Sequence, residues 1–210
     1  MKDMLAFQQE FIKRQKQCEM NSIEQEEELF LKNINTLNKN ERKSVYFVYQ
    51  FSKNLEYKHP GTYANYINHL LRMCNICFKL CNGYRKDILI TILVHNVFEV
   101  TDLTFDSLSE AVGLPIAKYV KILTLNRDKE WDSIYKKEYY NNIAQNTICA
   151  CTKIIDKIDN LFMIETNPDK NIRDKYIDEI VTHVIPMAVE QQNIQIGSKL
   201  LSNIISHIID

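Results

Sequence analysis

Three short stretches combine ligand-type side chains with apolar surroundings: His69 in YINHLL, the doublet His95-Asn96 followed by Glu99 in ILVHNVFEV, and Asp156 in KIIDKIDNL. Taken singly, each has an ordinary explanation. A histidine on an apolar helix face is most often a core residue whose ring nitrogens are satisfied locally, and an aspartate in such a run can pair with a neighbouring Lys or Arg. Taken together they ask for more. Sinking two imidazoles and a carboxylate from three separate segments into apolar surroundings is costly unless something pairs them, and a divalent cation held by neutral imidazole nitrogens and a carboxylate is one such partner.

The elements that must position these groups follow from composition. The chain has 210 residues, 45% hydrophobic and 25% charged, enough for one substantial core. Only four Gly and four Pro serve that whole length, too few for a turn-dense β-sandwich or barrel. The expected class is all-α, a bundle of about eight to ten helices. Residues 3–18 and 22–37 read as two polar amphipathic helices, with Asn21-Ser22 as a cap, and make residues 1–38 an N-terminal arm packed on a core of residues 39–210. A third helix from Asn38 to Leu55 carries Val45, Phe47, Val48 and Phe51 on its apolar side and ends before His59-Pro60-Gly61.

The pattern continues with helices over Ala64–Cys81 and Arg85–Val100, the latter carrying Ile88, Ile92, His95, Asn96 and Glu99 on one face. Thr104 or Asp102 caps a short helix closed by Gly113, and Pro115 opens the next, to about Leu125. A polar, aromatic loop leads into a helix, and a strongly apolar helix runs from about Ile143 to Asn167-Pro168. Helices over Asn171–Val184, with a kink at Pro186, and Ile194–Ile209 complete the chain.

Twenty-six Lys+Arg against 27 Asp+Glu leave a net charge of −1, which argues against a surface built to hold nucleic acid or anionic lipid. The charged N-terminus has no apolar signal core and no stretch is long enough to span a bilayer, so a cytoplasmic location away from membranes is expected. The polar N-terminal helices and the C-terminal LLSNIISHIID are candidate homodimer surfaces. Six cysteines remain. Cys74, Cys77 and Cys81 share one helix face and could present thiols to a metal, but no second CxxC pair supplies a fourth ligand, and small apolar filling of the core is the preferred reading. In LTLNRDKEWDSIYKKEYY, Arg127, Lys129, Lys136 and Lys137 alternate with aromatics. Such a segment is either a solvated loop anchored by Trp131 or the wall of a phosphate or nucleotide site, with Arg127 and Lys129 as the cations.

The order His, then a His-Asp-like doublet 26 residues later, then a late helical Asp resembles the HD superfamily of metal-dependent phosphohydrolases. Within it, the chain is most similar to the hydrolase domain of RelA/SpoT-type alarmone enzymes. NYINHLLRM resembles that group's Tyr-Ile-x-His segment, VHNVFEVTDLTFDSLSEAVG its His-Asp-x-x-Glu-Asp-Thr stretch, and KIIDKIDNL its Lys-Leu-Ala-Asp-Arg-Leu-x-Asn-Met helix. The likeness covers about residues 40–165. It implies an HD-like helical domain in which His69, His95, Asn96 and Asp156 hold a divalent metal, typically Mn²⁺, with Fe²⁺ or Zn²⁺ as alternatives.

The same likeness makes Glu99 the catalytic carboxylate that orients or deprotonates the attacking water, and assigns Tyr66 and Asn160 to the substrate site. The implied reaction is hydrolysis of a nucleotide or small phosphorylated metabolite, after the manner of (p)ppGpp 3′-pyrophosphate hydrolysis. Three departures stand out. Asn96 replaces the doublet's aspartate and makes the ligand set one unit less negative, which weakens its hold on a hard cation. Val100 replaces the second acidic residue, and the basic cluster before the Tyr-Ile-x-His segment is reduced to Lys58-His59-Pro60-Gly61. The alternative is therefore a catalytically impaired HD-fold protein that keeps the pocket as a nucleotide-binding or regulatory module.

Overall fold

The computed structural model describes residues 9, 22–58, 63–81, 83, 85–164, 167–194 and 197–209. The helix expected at 3–18 lies outside them apart from Gln9, as do Cys18 and the break at His59-Pro60-Gly61. Among the described residues every regular element is helical and no strand occurs, in keeping with the scarcity of glycine and proline.

Side-chain caps set where the first helices begin. Helix α1 (Ile23–Ile34) starts behind Ser22, whose hydroxyl accepts the Gln25 N–H while the Gln25 side chain accepts the Ser22 N–H. Asn38 and Glu41 repeat this reciprocal arrangement ahead of α2 (Lys39–Lys53), satisfying donors that a first turn leaves open. Helix α1 drops Phe30 and Ile34 into the core, and its Glu26 carboxylate accepts from Asn75 Nδ2 at 2.7 Å, fastening it to α3 (Tyr63–Leu80).

On α2 the buried stripe is Val45, Val48, Tyr49 and Ser52, an i, i+3, i+4, i+7 set. Phe47, expected on that side, is instead 58% exposed. Two residues beyond Val45 is about 200° round a helix, which turns Phe47 toward solvent while Tyr49 takes the core position.

The single helix expected over Arg85–Val100 is broken in two, α4 (Arg85–Val94) and α5 (Val97–Val100). The His95 ring donates Nδ1–H to the Ile92 carbonyl at 2.8 Å, competing for the acceptor that a continuous helix would give to Asn96, and Asn96 leaves helical geometry at φ −109°, ψ 9°. Every residue from Ile88 to Val94 is buried, so ILITILV has no polar side because α4 runs through the middle of the molecule.

Thr104 caps α6 (Phe105–Val112), and Gly113 at φ +90° makes the sharp junction to α7 (Leu114–Leu123), a conformation that a side chain would strain. A 3₁₀ turn (Arg127–Lys129) leads to α8 (Ser133–Ala144), and Asn146 then caps α9 (Thr147–Phe162). The strongly apolar helix therefore begins at Thr147 rather than near Ile143, because the Asn146 side chain claims the Cys149 N–H.

Beyond α10 (Lys170–Glu179) the kink expected at Pro186 appears as a π turn (Ile180–Val184) leading into α11 (Ile185–Glu190). Proline offers no N–H to the carbonyl four residues back and its ring crowds that carbonyl, so the turn widens. A 3₁₀ turn (Gln192–Ile194) precedes α12 (Gly197–Ile209).

Helix α9 is the axis of the core. Its Ala150, Cys151, Ile154, Ile155, Ile158 and Leu161 are buried against α3, α4, α7, α8, α11 and α12. The five described cysteines are buried free thiols, as expected of apolar filler, and burial pushes the Cys74 thiol well above its usual range. No helix among the described residues is long and apolar enough to cross a membrane.

Candidate functional site

The three ligand-type side chains arrive from three elements and meet. Helix α3 presents His69, the end of α4 presents His95 and α9 presents Asp156, and one ligand atom from each lies within 4.8 Å of the others. Asp156 Oδ1 is 3.5 Å from His69 Nε2 and 3.9 Å from His95 Nε2. Bonds of about 2.0–2.2 Å to a shared transition-metal ion would give neighbouring ligand atoms separations of this size.

His95 carries the sharper signal. Its Nδ1–H is committed to the Ile92 carbonyl, so Nε2 keeps a lone pair, and that nitrogen is buried with no hydrogen-bond partner. Burial pushes the ring down to about 4, against the opposing pull of Asp156, so the imidazole is neutral at physiological pH. An orphaned buried acceptor is costly, and a cation between His95, His69 and Asp156 would satisfy it.

His69 is in the opposite state. Burial alone would lower it, yet hydrogen bonds and charge from Asp156 and Asp159 raise it to about 9. Its Nδ1–H donates to Asp159 Oδ2 at 2.7 Å, and Arg72 grips the same carboxylate with Nε and Nη2, both at 2.7 Å. Asp156 stays ionised well below the carboxylate range, its burial outweighed by Lys153, the protonated His69 and Lys157. Lys153 Nζ lies 3.1 Å from Asp156 Oδ2, and Asn160 donates Nδ2–H to Oδ1 at 2.8 Å. Two imidazoles and a carboxylate are a donor set suited to Mn²⁺, Fe²⁺ or Zn²⁺.

His69 and Asp156 line a cavity of about 460 Å³, while His95, fully buried, stands behind them and is not part of its lining. Tyr66, His69, Asn96, Glu99, Arg127, Asp156 and Asn160 all line it, and so does Val100. Glu99 accepts from Arg127 Nε at 2.9 Å and from the Leu125 backbone N–H at 3.3 Å, which ties both of its oxygens to the segment roofing the cavity. Lys129 is not among the lining residues and stands over the Tyr135 ring, while Lys58 pairs with Asp102. Trp131, the anchor in the solvated-loop alternative, is 56% exposed, with the ammonium groups of Lys136 and Lys175 near its ring.

Sequence reasoning missed several groups here. Lys153 and Lys157 stand one turn before and one residue after Asp156 and reach the same cavity. Glu179, from the end of α10, also lines it and accepts from Lys157 at 2.7 Å, Lys136 at 2.6 Å and Tyr140 Oη at 2.5 Å. Spacing along α9 could have flagged the lysines. Nothing local in the sequence points to Glu179, since its partners lie on α8 and α9.

No protein-family model matches the chain, and no curated protein does. A solved structure does. The chain is similar to a protein described as a metazoan ortholog of SpoT that hydrolyzes ppGpp and plays a role in starvation responses, with a TM-score of 0.58 and 20% identity over 76% of this chain and 94% of that one. At that identity the likeness establishes a shared fold, the all-helical architecture described above.

Proposed function

We propose that the protein is a metal-dependent phosphohydrolase acting on a nucleotide or small phosphorylated metabolite, with a (p)ppGpp-like 3′-pyrophosphate as the leading substrate class. The observation that carries this reading is the convergence of His69, His95 and Asp156 beside a cavity that His69 and Asp156 line, with the His95 Nε2 lone pair buried and unsatisfied. The shared fold with a protein that hydrolyzes ppGpp supports it. His69, His95, Asp156 and the Asn96 amide would hold the divalent cation, whose contribution when bound is Lewis-acid activation of water and of a phosphoryl oxygen.

The remaining chemistry belongs to the chain. Asn160 and Lys153 fix the Asp156 carboxylate from two sides, and Glu99 receives the proton of the attacking water once Arg127 turns to the substrate. Arg127, Lys153 and Lys157 give phosphate oxygens a cationic wall, and Tyr66 and Tyr176 bound it with aromatic surface. A metal assay of the purified chain, followed by phosphate and pyrophosphate release from guanosine polyphosphates with Mn²⁺ present, tests the proposal. Turnover that disappears in Asp156→Asn supports it, and no turnover of any phosphorylated metabolite by metal-loaded protein overturns it.

A second reading has its own support. Asn96 and Val100 remove two carboxylates, and Arg127 occupies Glu99, a combination suited to a module that binds the nucleotide without cleaving it. Guanosine polyphosphate binding with Mn²⁺ but without product release would favour it.

A further inference from the structure

Asp159 is a buried carboxylate that the proposed chemistry leaves unused, and its contacts point to a task. It has no solvent exposure, yet it sits on the same helix as Asp156 and meets two partners from α3. Arg72 binds it through both oxygens, Nε to Oδ1 and Nη2 to Oδ2, each at 2.7 Å. A two-pronged grip of this kind fixes the plane of the carboxylate as well as its charge. Oδ2 then offers His69 Nδ1 one well-defined acceptor at 2.7 Å.

The consequence lies on the other side of the ring. With Nδ1 protonated and directed at Asp159, His69 has Nε2 as its ligand atom, 3.5 Å from Asp156 Oδ1. His95 reaches the same arrangement by other means, its Nδ1–H given to the Ile92 carbonyl. The two rings are thus aimed by different anchors, a backbone carbonyl for one and a braced carboxylate for the other.

We infer that Asp159, braced by Arg72, is a positioning residue that sets the tautomer and orientation of His69 so that Nε2 faces the cation site. The inference deepens the proposed metal centre and rests on it for the consequence to cation affinity. Histidine ligands commonly donate their second N–H to a carboxylate or carbonyl, and loss of that partner costs about 10- to 100-fold in metal affinity. An asparagine at 159 can donate as well as accept, so it permits the tautomer with the proton on Nε2, which cannot take a cation.

The test compares the full chain with Asp159→Asn by Mn²⁺ titration and by proton NMR of the cation-free protein. Because asparagine leaves Arg72 as an unpaired buried cation, the pair Asp159→Asn/Arg72→Met is carried in parallel, with thermal unfolding to establish that each is folded. The expected result is Mn²⁺ affinity weaker by about 10- to 100-fold in a folded variant, together with loss of a slowly exchanging, downfield His69 Nδ1–H resonance. Wild-type affinity in either folded variant, or an unchanged resonance, overturns the inference. If the unsubstituted chain takes up no Mn²⁺ while the resonance still depends on Asp159, the metal-centre reading fails and the role of Asp159 in setting the ring stands.

Discussion

Arg127 holds one oxygen of Glu99 from the turn that follows α7, its Nε–H donating at 2.9 Å and its Nη2 in ion-pair contact at 2.6 Å. Glu99 is nearly buried, whereas the Arg127 side chain is 62% exposed. The guanidinium therefore lies between solvent and the carboxylate, and an incoming phosphate would compete with Glu99 for it. Such a pair on a partly exposed arginine adds little to stability, a few tenths of a kcal/mol by the usual measure of exposed ion pairs.

The expected outcome of Arg127→Ala is accordingly a binding defect. Affinity for a guanosine polyphosphate should fall about tenfold, the usual cost of one charge-assisted phosphate contact, while the unfolding temperature stays put. Calorimetric titration beside a thermal scan checks this, and unchanged affinity would remove Arg127 from the substrate wall.

Asn96 follows His95 in the chain and lines the cavity that His69 and Asp156 also line. Replacing its amide with a carboxylate restores one negative charge to a set that now has only Asp156, so Asn96→Asp should tighten Mn²⁺ binding by about tenfold or more. Mn²⁺ titration followed by electron paramagnetic resonance reads the change. Equal affinities would mean that the residue does not face the ion.

Cation uptake should release a proton from His69. The ring is protonated below about 9, held there by Asp156 and Asp159 despite its burial, and a bound cation must displace that proton. Apparent Mn²⁺ affinity should climb with pH up to about 9 and level off above it. Titration heats measured at pH 7.5 in buffers of different ionisation enthalpy give the number of protons released, expected to be about one.

Glu179 predicts an acid-sensitive contribution to stability. Lys157, Lys136 and Tyr140 outweigh its burial and depress its carboxyl from 4.5 to about 2. A depressed carboxylate stabilises the fold above its unfolded value and loses that contribution as pH falls from 4.5 through about 2. Glu179→Gln should thus cost on the order of 2–4 kcal/mol in urea unfolding at pH 7, with the gap to the unsubstituted chain narrowing steadily below pH 4.5. A gap independent of pH would mean that packing, and not charge, is what Glu179 supplies.

Much of the architecture was legible because helices announce their ends. Ser22, Asn38, Thr104 and Gly113 stand where the caps and stops occur, and the apolar runs before Asn82-Gly83 and Asn167-Pro168 locate two of the site-bearing segments. His69, His95 and Asp156 were legible as expensive groups on apolar faces, and the structure brings them together.

What stayed hidden depends on contacts between distant segments. The break at His95-Asn96 arises from a ring bonding to its own helix's carbonyl, which periodicity does not register. Phe47 was misassigned because any run of apolar residues offers more than one stripe, and only packing against α4 and α1 selects Val45, Val48 and Tyr49. The pairing of Arg72 with Asp159 spans 87 positions, and Lys157 with Glu179 joins two helices, so neither leaves a local pattern.

Helix α9 contributes Lys153, Asp156, Lys157, Asp159 and Asn160 within eight consecutive positions: Lys153 and Asn160 hold Asp156, Lys157 pairs with Glu179, and Asp159 meets His69 and Arg72. A helix turns about 100° per residue, so one inserted or deleted amino acid between Lys153 and Asn160 would swing the remainder of the set out of alignment at a stroke. Point changes can be absorbed one at a time along this stretch; a change of its length cannot.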